Sequence, residues 1–293
     1  LHEMADYVLM TDSTSDLPAA YCQENGLAVI PLTYIIDGVA RADNEGAADG
    51  YHSFYNQLRE GKLSTTSQIT AEEYLAFMTP ILESGKDILY IAFSSGLSGS
   101  YEGALSAAAT LKDRFPDRRM RIVDSFGASL GEGLLVMHAV KMRSAGESLD
   151  AVADWVLEHR LNAHHWFTVD DLGHLKRGGR LSSSSAAIGT LLRIKPVLSV
   201  NTEGKLVPVE KARSRKKAIK TLFKKMADNI EGWDRGTVAI SHGDCLEDAL
   251  KLREMVEKAY PCEEIVISPI GAVIGSHVGA GTLALFFMSG PRG

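Results

Sequence analysis

Hydroxyl-bearing side chains recur in this chain where apolar strands should hand over to helices. Asp12-Ser13-Thr14-Ser15 follows one apolar run, Ser94-Ser95-Gly96-Leu97-Ser98-Gly99 a second, and Asp124-Ser125-Phe126-Gly127 a third. Hydroxyls beside the free amides of a helix start make an uncharged cradle for an anion. With few cations nearby, such a cradle suits one carboxylate better than a polyphosphate. Ser, Thr and Asp are also the ordinary N-cap residues, so any single loop reads equally as capping; three together weaken that reading. A fourth cluster, Ser64-Thr65-Thr66-Ser67-Gln68, stands just before Thr70 and reads by composition as a polar loop.

Hydrolytic chemistry asks for more. Gly96-Leu97-Ser98-Gly99-Ser100 lacks the last glycine of the G-x-S-x-G elbow, and no general base for Ser95 or Ser98 stands out. Among the nine histidines, only His277 has an unusual setting, Gly275-Ser276-His277-Val278-Gly279-Ala280-Gly281. Glycines on both sides let backbone approach a ligand closely, so His277 is expected in a tight turn, donating a proton or hydrogen bond to an anion. A serine-dependent esterase or acyltransferase using Ser95 or Ser98 with His277 is the enzymatic alternative. No metal is expected. His164 and His165 are adjacent and should point to opposite sides of a strand, Asp170-Asp171 lack further ligands, and no H-E-x-x-H occurs. Neither G-x-G-x-x-G nor G-x-x-x-x-G-K-[ST] is present, so no nucleotide cofactor is expected.

The 293 residues allow one large or two ordinary domains. A hydrophobic fraction of 45% excludes general disorder, and a net charge of -6 argues against a dedicated nucleic-acid binder. Three scattered cysteines form neither a disulfide framework nor a zinc site and suit a cytoplasmic protein. No secretory signal is visible, and Met4 is expected as the natural start. The uncharged stretch Ile265 to Pro291 is long enough to cross a bilayer. Pro269, His277 and several glycines divide it, so two buried strands around a glycine-rich loop fit better.

These groups need elements to hold them. Strands are expected at Tyr7–Thr11, Leu27–Ile36, Asp87–Phe93 and Met120–Val123, alternating with helices that open at Thr70, Gly99, Ser125 and Ser148. That alternation indicates a parallel sheet covered on both faces. Later strands are expected at Trp166–Asp170, Lys195–Val200, Leu206–Val209, Val238–Ser241, Glu264–Ser268 and Leu283–Met288, with helices over 213–229 and 245–259. The fold class is therefore α/β with two domains: an N-terminal parallel-sheet α/β/α domain, 1–162, and a C-terminal α+β domain with a mixed or antiparallel sheet, 163–293. Between Lys211 and Lys225 lie eight basic residues and no acid. Ile219, Leu222, Phe223 and Met226 form an apolar stripe there, so the segment is an amphipathic helix with a basic outer face, either solvated or a docking surface.

Thr11-Asp12-Ser13-Thr14-Ser15-Asp16-Leu17-Pro18, Thr66-Ser67-Gln68, Ser94 to Ser100, Val123-Asp124-Ser125, Leu175-Lys176-Arg177-Gly178-Gly179-Arg180-Leu181, Lys195-Pro196 and Gly275-Ser276-His277-Val278-Gly279 together resemble, in order and spacing, the DegV family. Its members are bacterial fatty-acid-binding proteins of the EDD fold, and some serve a fatty acid kinase in phospholipid synthesis. The resemblance implies a protein that holds one long-chain fatty acid between two domains, its tail in an apolar tunnel. It implies carboxylate ligands Thr66, Ser95 and Ser94, with His277 close by, and Arg180 facing the kinase partner or the acyl phosphate. On this reading the partner phosphorylates the carboxylate with ATP, and this chain does no chemistry itself. One position departs: Ile69 stands where the family usually has proline after Gln68, which frees φ and restores an N–H.

The physics agrees with a tunnel. A C16 chain gains about 0.8 kcal/mol per buried CH₂, roughly 10 kcal/mol gross before ordering costs. A buried carboxylate is then tolerable only if well hydrogen-bonded, which hydroxyls and amides can supply.

Overall fold

The computed structural model describes residues 7–181 and 194–293. Among these, thirteen strands follow in chain order: β1 Tyr7–Asp12, β2 Ala28–Ile30, β3 Thr33–Ile36, β4 Val39–Ala42, β5 Ser64–Ser67, β6 Asp87–Ala92, β7 Met120–Asp124, β8 Ala163–Thr168, β9 Lys195–Val200, β10 Leu206–Ala212, β11 Val238–His242, β12 Ile265–Pro269 and β13 Leu283–Met288. The serine run 182–185 and Met4 lie outside the described residues.

Strands β2-β1-β6-β7 form a parallel sheet, with Leu9 opposite Leu89 and Ile91 opposite Val123. Ile88 to Ala92 are buried without interruption, the pattern of a strand covered on both faces. Two helix pairs pack on it: Ala71–Glu83 with Ser100–Arg114, and Leu130–Ser144 with Leu149–His159. Thr70 opens the first by a capping box, its Oγ1 accepting from Glu73 N at 3.2 Å while Glu73 Oε2 accepts from Thr70 N at 2.7 Å.

The second sheet has the order β10-β9-β8-β13-β11-β12, antiparallel except for the β11–β12 pair. Its strands alternate between two cores. Val238, Ile240, Leu285 and Phe287 pack against helices Arg215–Asp228 and Leu246–Ala259, whose buried stripe is Ile219, Leu222, Met226, Leu252 and Val256. Ala239, Ala284 and Phe286 face the other way, into the main core. Helix Leu130–Ser144 packs against both large sheets. Sandwiched there, it buries every residue from Leu130 to Met137, so it lacks the one-sided apolar stripe of a surface helix.

Three expectations need correction. Leu27–Ile36 is not one strand: Pro31 and Leu32 separate β2, in the parallel sheet, from β3, in a small antiparallel sheet of order β4-β3-β5. The hydroxyl cluster at 64–67 is β5 of that small sheet, not a loop; Thr66 pairs with Tyr34, and β3 supplies the ladder bonds that composition alone does not reveal. The glycine-rich segment contains a helix, Ala272–Val278, and only afterwards turns, with Gly279 and Gly281 at φ of 82° and 81°. Among the described residues no helix is long and apolar enough to cross a membrane.

Candidate functional site

A cavity of about 750 Å³, its mouth included, lies where four elements meet. The loop after β6 contributes Phe93 and Leu97, the inner face of the six-stranded sheet Phe167 and Phe286, helix Ala272–Val278 contributes Val273 and Ile274, and the small sheet's neighbourhood Leu32 and Thr66. The cavity takes Phe93 and Leu97 from just beyond the carboxyl end of β6, the side of a parallel sheet on which ligands usually bind.

One end of this apolar space is closed by Thr66, Gln68, Ser98, Arg180 and His277. Thr66 Oγ1 and His277 Nε2 are 2.7 Å apart, and Ser64 Oγ and Ser276 Oγ, one strand step and one helix step away, repeat the contact at 2.7 Å. Burial, and then the charge of Arg180, push the His277 imidazole down to about 4. The ring is neutral at pH 7. Its Nδ1 is buried without a partner, so the tautomer protonated at Nε2 avoids an orphaned donor. His277 then donates to Thr66 Oγ1, and the threonine's own proton is free for an anion. Gly178 permits this packing, since a Cβ there would collide with His277 Nδ1.

Arg180 is pinned by its Nε donating to Leu97 O at 3.0 Å and its Nη1 to Gly178 O at 2.6 Å. It has no carboxylate partner among the described residues. Beyond the Thr66–His277 pair lies a second cleft, about 670 Å³, which shares Thr66, Arg180 and His277 and adds Ser64, His174 and Arg177. The pair thus stands between an apolar chamber and a more polar cleft.

The other sequence candidates are placed differently. Ser94 is buried, its Oγ donating to Gly204 O at 2.7 Å and accepting from Gly96 N at 3.1 Å. Ser95 is exposed, its amide donating to Asp124 Oδ1 at 3.3 Å. Neither lines the chamber, whereas Ser98 of the same loop does, with its Oγ 2.9 Å from Ser100 Oγ. The restored N–H of Ile69 donates to Ser100 Oγ at 3.0 Å, so the family's missing proline is replaced by a hydrogen bond. The Ser–His pairing that the esterase alternative requires is not formed: His277 Nε2 meets Thr66, and no third group orients its Nδ1.

The first strand-end loop works inward. Asp12 accepts from Tyr90 OH at 2.6 Å and Phe93 N at 2.9 Å, and Thr14 Oγ1 donates to Glu132 Oε2 at 3.0 Å. Burial raises both Asp12 and Glu132 above ordinary carboxyl values. Asp16 Oδ1 accepts from Gly271 N at 2.9 Å and Asp43 Oδ1 from Val273 N at 2.8 Å, so two buried carboxyls hold the start of the His277 helix. Burial lifts Asp43 to about 6. His164 and His165 do point apart, to Gly290 O at 2.8 Å and Ala163 O at 2.9 Å. Asp170 is paired with Lys195 at 2.9 Å, and among the described residues no group of three or more potential ligands could hold a metal ion. Sequence reasoning missed Ser129 and Ser241, which also line the chamber. The available signal was Ser241 at a core-facing step of the alternating strand β11.

Comparison with known proteins follows the same lines. Residues 7–290 match the model of the DegV family COG1307, described as uncharacterised. A DegV domain-containing protein of Clostridium perfringens is 44% identical over 285 residues, covering 97% of this chain and 98% of the other. A solved DegV family protein from Thermus thermophilus, described by its fatty acid binding, superposes with a TM-score of 0.87 at 33% identity, covering 97% of this chain and 99% of that one. DegV from Bacillus subtilis, a fatty acid binding protein, gives 0.82 at 30% identity, with 97% and 99% covered. By sequence over nearly its whole length and by fold, the chain belongs to the DegV family.

Proposed function

We propose that this protein binds a single long-chain fatty acid, tail in the apolar chamber and carboxylate against the Thr66–His277 pair, and presents that carboxylate to a partner fatty acid kinase. The observation that carries the reading is an apolar space one of whose ends is a neutral hydrogen-bond donor pair rather than an ion pair. A carboxylate meeting Thr66 OH, with Arg180 nearby for charge, is solvated without being locked. The solved relatives from Thermus thermophilus and Bacillus subtilis are fatty acid binders, which points the same way. Ser94 and Ser95 belong to the proposed head-group loop. Ser95 would join by turning in from its exposed position, and Ser94 by holding the loop against Gly204.

Presentation to a kinase rests on the second cleft. It reaches the same Thr66 and His277 from the opposite side and carries Arg177 and Arg180, so a phosphoryl donor could approach the head group while the tail stays enclosed. Arg180 is the residue through which the partner would be met. In this reading 1–162 and 163–293 act as the two domains that enclose the lipid.

Organic extraction of purified protein followed by mass spectrometry tests the binding. A stoichiometric long-chain fatty acid is expected; protein that arrives empty and does not take up added palmitate would overturn the reading. ATP-dependent acyl phosphate formation that needs both this chain and a kinase subunit tests the presentation.

A further inference from the structure

Besides the Thr66–His277 pair, two serines from different parts of the chain line the chamber. Ser241 occupies a core-facing step of β11, two residues after Ala239 and opposite Ala284 of β13. Both it and Ser129 line the chamber, with exposures of 0% and 5%. Ser129 Oγ donates to Asp16 Oδ2 at 2.6 Å and lies 2.9 Å from Ser241 Oγ. Ser129 holds this position at φ 53° and ψ -144°, a backbone state that costs a non-glycine residue strain. Of the other polar groups lining the chamber, His165 accepts from Ala128 N at 3.2 Å and Thr282 gives its proton to Gly279 O at 2.9 Å.

A hydroxyl has one proton to give and two lone pairs. Ser129 spends its proton on Asp16, so Ser241 gives its own to Ser129 and keeps its lone pairs unused. If Asp16 carries the proton instead, the chain reverses and Ser241 points a donor inward. In either direction the Ser241 side chain has one hydrogen bond within the protein and spare capacity, on a residue that lines an apolar space. A hydroxyl group, both donor and acceptor, complements both states.

Resting on the fatty-acid reading above, we propose that Ser241, oriented by Ser129 and Asp16, is a polar subsite for the acyl chain, and that the preferred ligand class is a fatty acid bearing a hydroxyl partway along its tail. A wholly apolar tunnel penalises such a group by desolvation, whereas a site built to hydrogen-bond it discriminates against the chain that lacks it.

The test is competition binding on delipidated full-length protein, with octadecanoic acid as reference and a positional series of monohydroxyoctadecanoic acids. At least one isomer is expected to bind about fivefold or more tightly than octadecanoic acid, against no gain for isomers whose hydroxyl falls elsewhere. Ser241→Ala should lower that isomer's preference about tenfold, and Ser241→Thr, which keeps a hydroxyl, should restore it. Thermal melting of both variants separates binding from folding. If octadecanoic acid binds but every isomer binds more weakly, or if the preference survives Ser241→Ala, the subsite is wrong and the fatty-acid reading stands. If octadecanoic acid does not bind at all, both fall.

Discussion

Thr66 Oγ1 and His277 Nε2 meet at 2.7 Å although 211 positions separate them in the chain. The contact joins an edge strand of the small sheet to the helix that precedes β13. It makes one donor of two neutral side chains, because the imidazole cannot hold a second proton at pH 7.

Thr66→Val removes the donor and keeps the shape. A charge-assisted hydrogen bond is worth about 1.5–3 kcal/mol, so fatty acid affinity should fall by roughly 10- to 100-fold, with some loss of melting temperature because His277 Nε2 loses its acceptor. Displacement of a fluorescent fatty acid measures it, and an affinity equal to wild type would remove Thr66 from the head-group site.

Gly178→Ala acts on the same pair from behind. The backbone there has φ -75°, comfortable for alanine, but the new Cβ would press on His277 Nδ1. Overpacking of this kind costs about 1–3 kcal/mol. The variant should lose fatty acid affinity like Thr66→Val while remaining folded by circular dichroism; full affinity would show that the His277 position is unimportant.

His277 also makes stability depend on pH. Its folded value, about 4, lies below the free value of 6.5, so the unfolded chain takes up the proton first. The stabilising contribution is complete above pH 6.5 and is lost as pH falls towards 4, at most about 3 kcal/mol over that window. His277→Gln should flatten this part of the stability profile measured by urea unfolding between pH 7 and 4.5.

Asp43 works with the opposite sign in an overlapping range. Its folded value, about 6, lies above the free value of 3.8. The contribution is present below pH 3.8 and is lost as pH rises through 6, again about 3 kcal/mol at most. Asp43→Asn keeps an oxygen for Val273 N and abolishes the buried charge. We expect it to raise the melting temperature at pH 7.5 more than at pH 5; equal melting temperatures at pH 7.5 would contradict the buried-charge account.

Local signals carried much of the fold. The alternation of β1, β6 and β7 with helices indicates a parallel sheet, and Thr70-x-x-Glu73 and Ser148 announce helix starts that the structure keeps. The hairpin of β9 and β10 follows from Asn201-Thr202-Glu203-Gly204, whose Gly204 takes φ 72°. Where reading failed, the deciding partner was distant. β5 is a run of four hydroxyl residues with no alternation to see, and only pairing with β3 makes it a strand.

The sequence by itself determined the family pattern, the class of fold and the residue types available to meet an acid head group. These depend on short-range periodicity, capping chemistry and motif order, all of which are written within a few dozen residues. Tertiary structure alone decided which hydroxyls face the chamber and which serve the core. Thr66, Ser98, Ser129 and Ser241 line it, while Ser94 and Thr14 are spent on internal hydrogen bonds. Side-chain type sets what a hydroxyl can bond to, but its direction is set by the sheet or helix packed against it, and those neighbours lie far away in sequence.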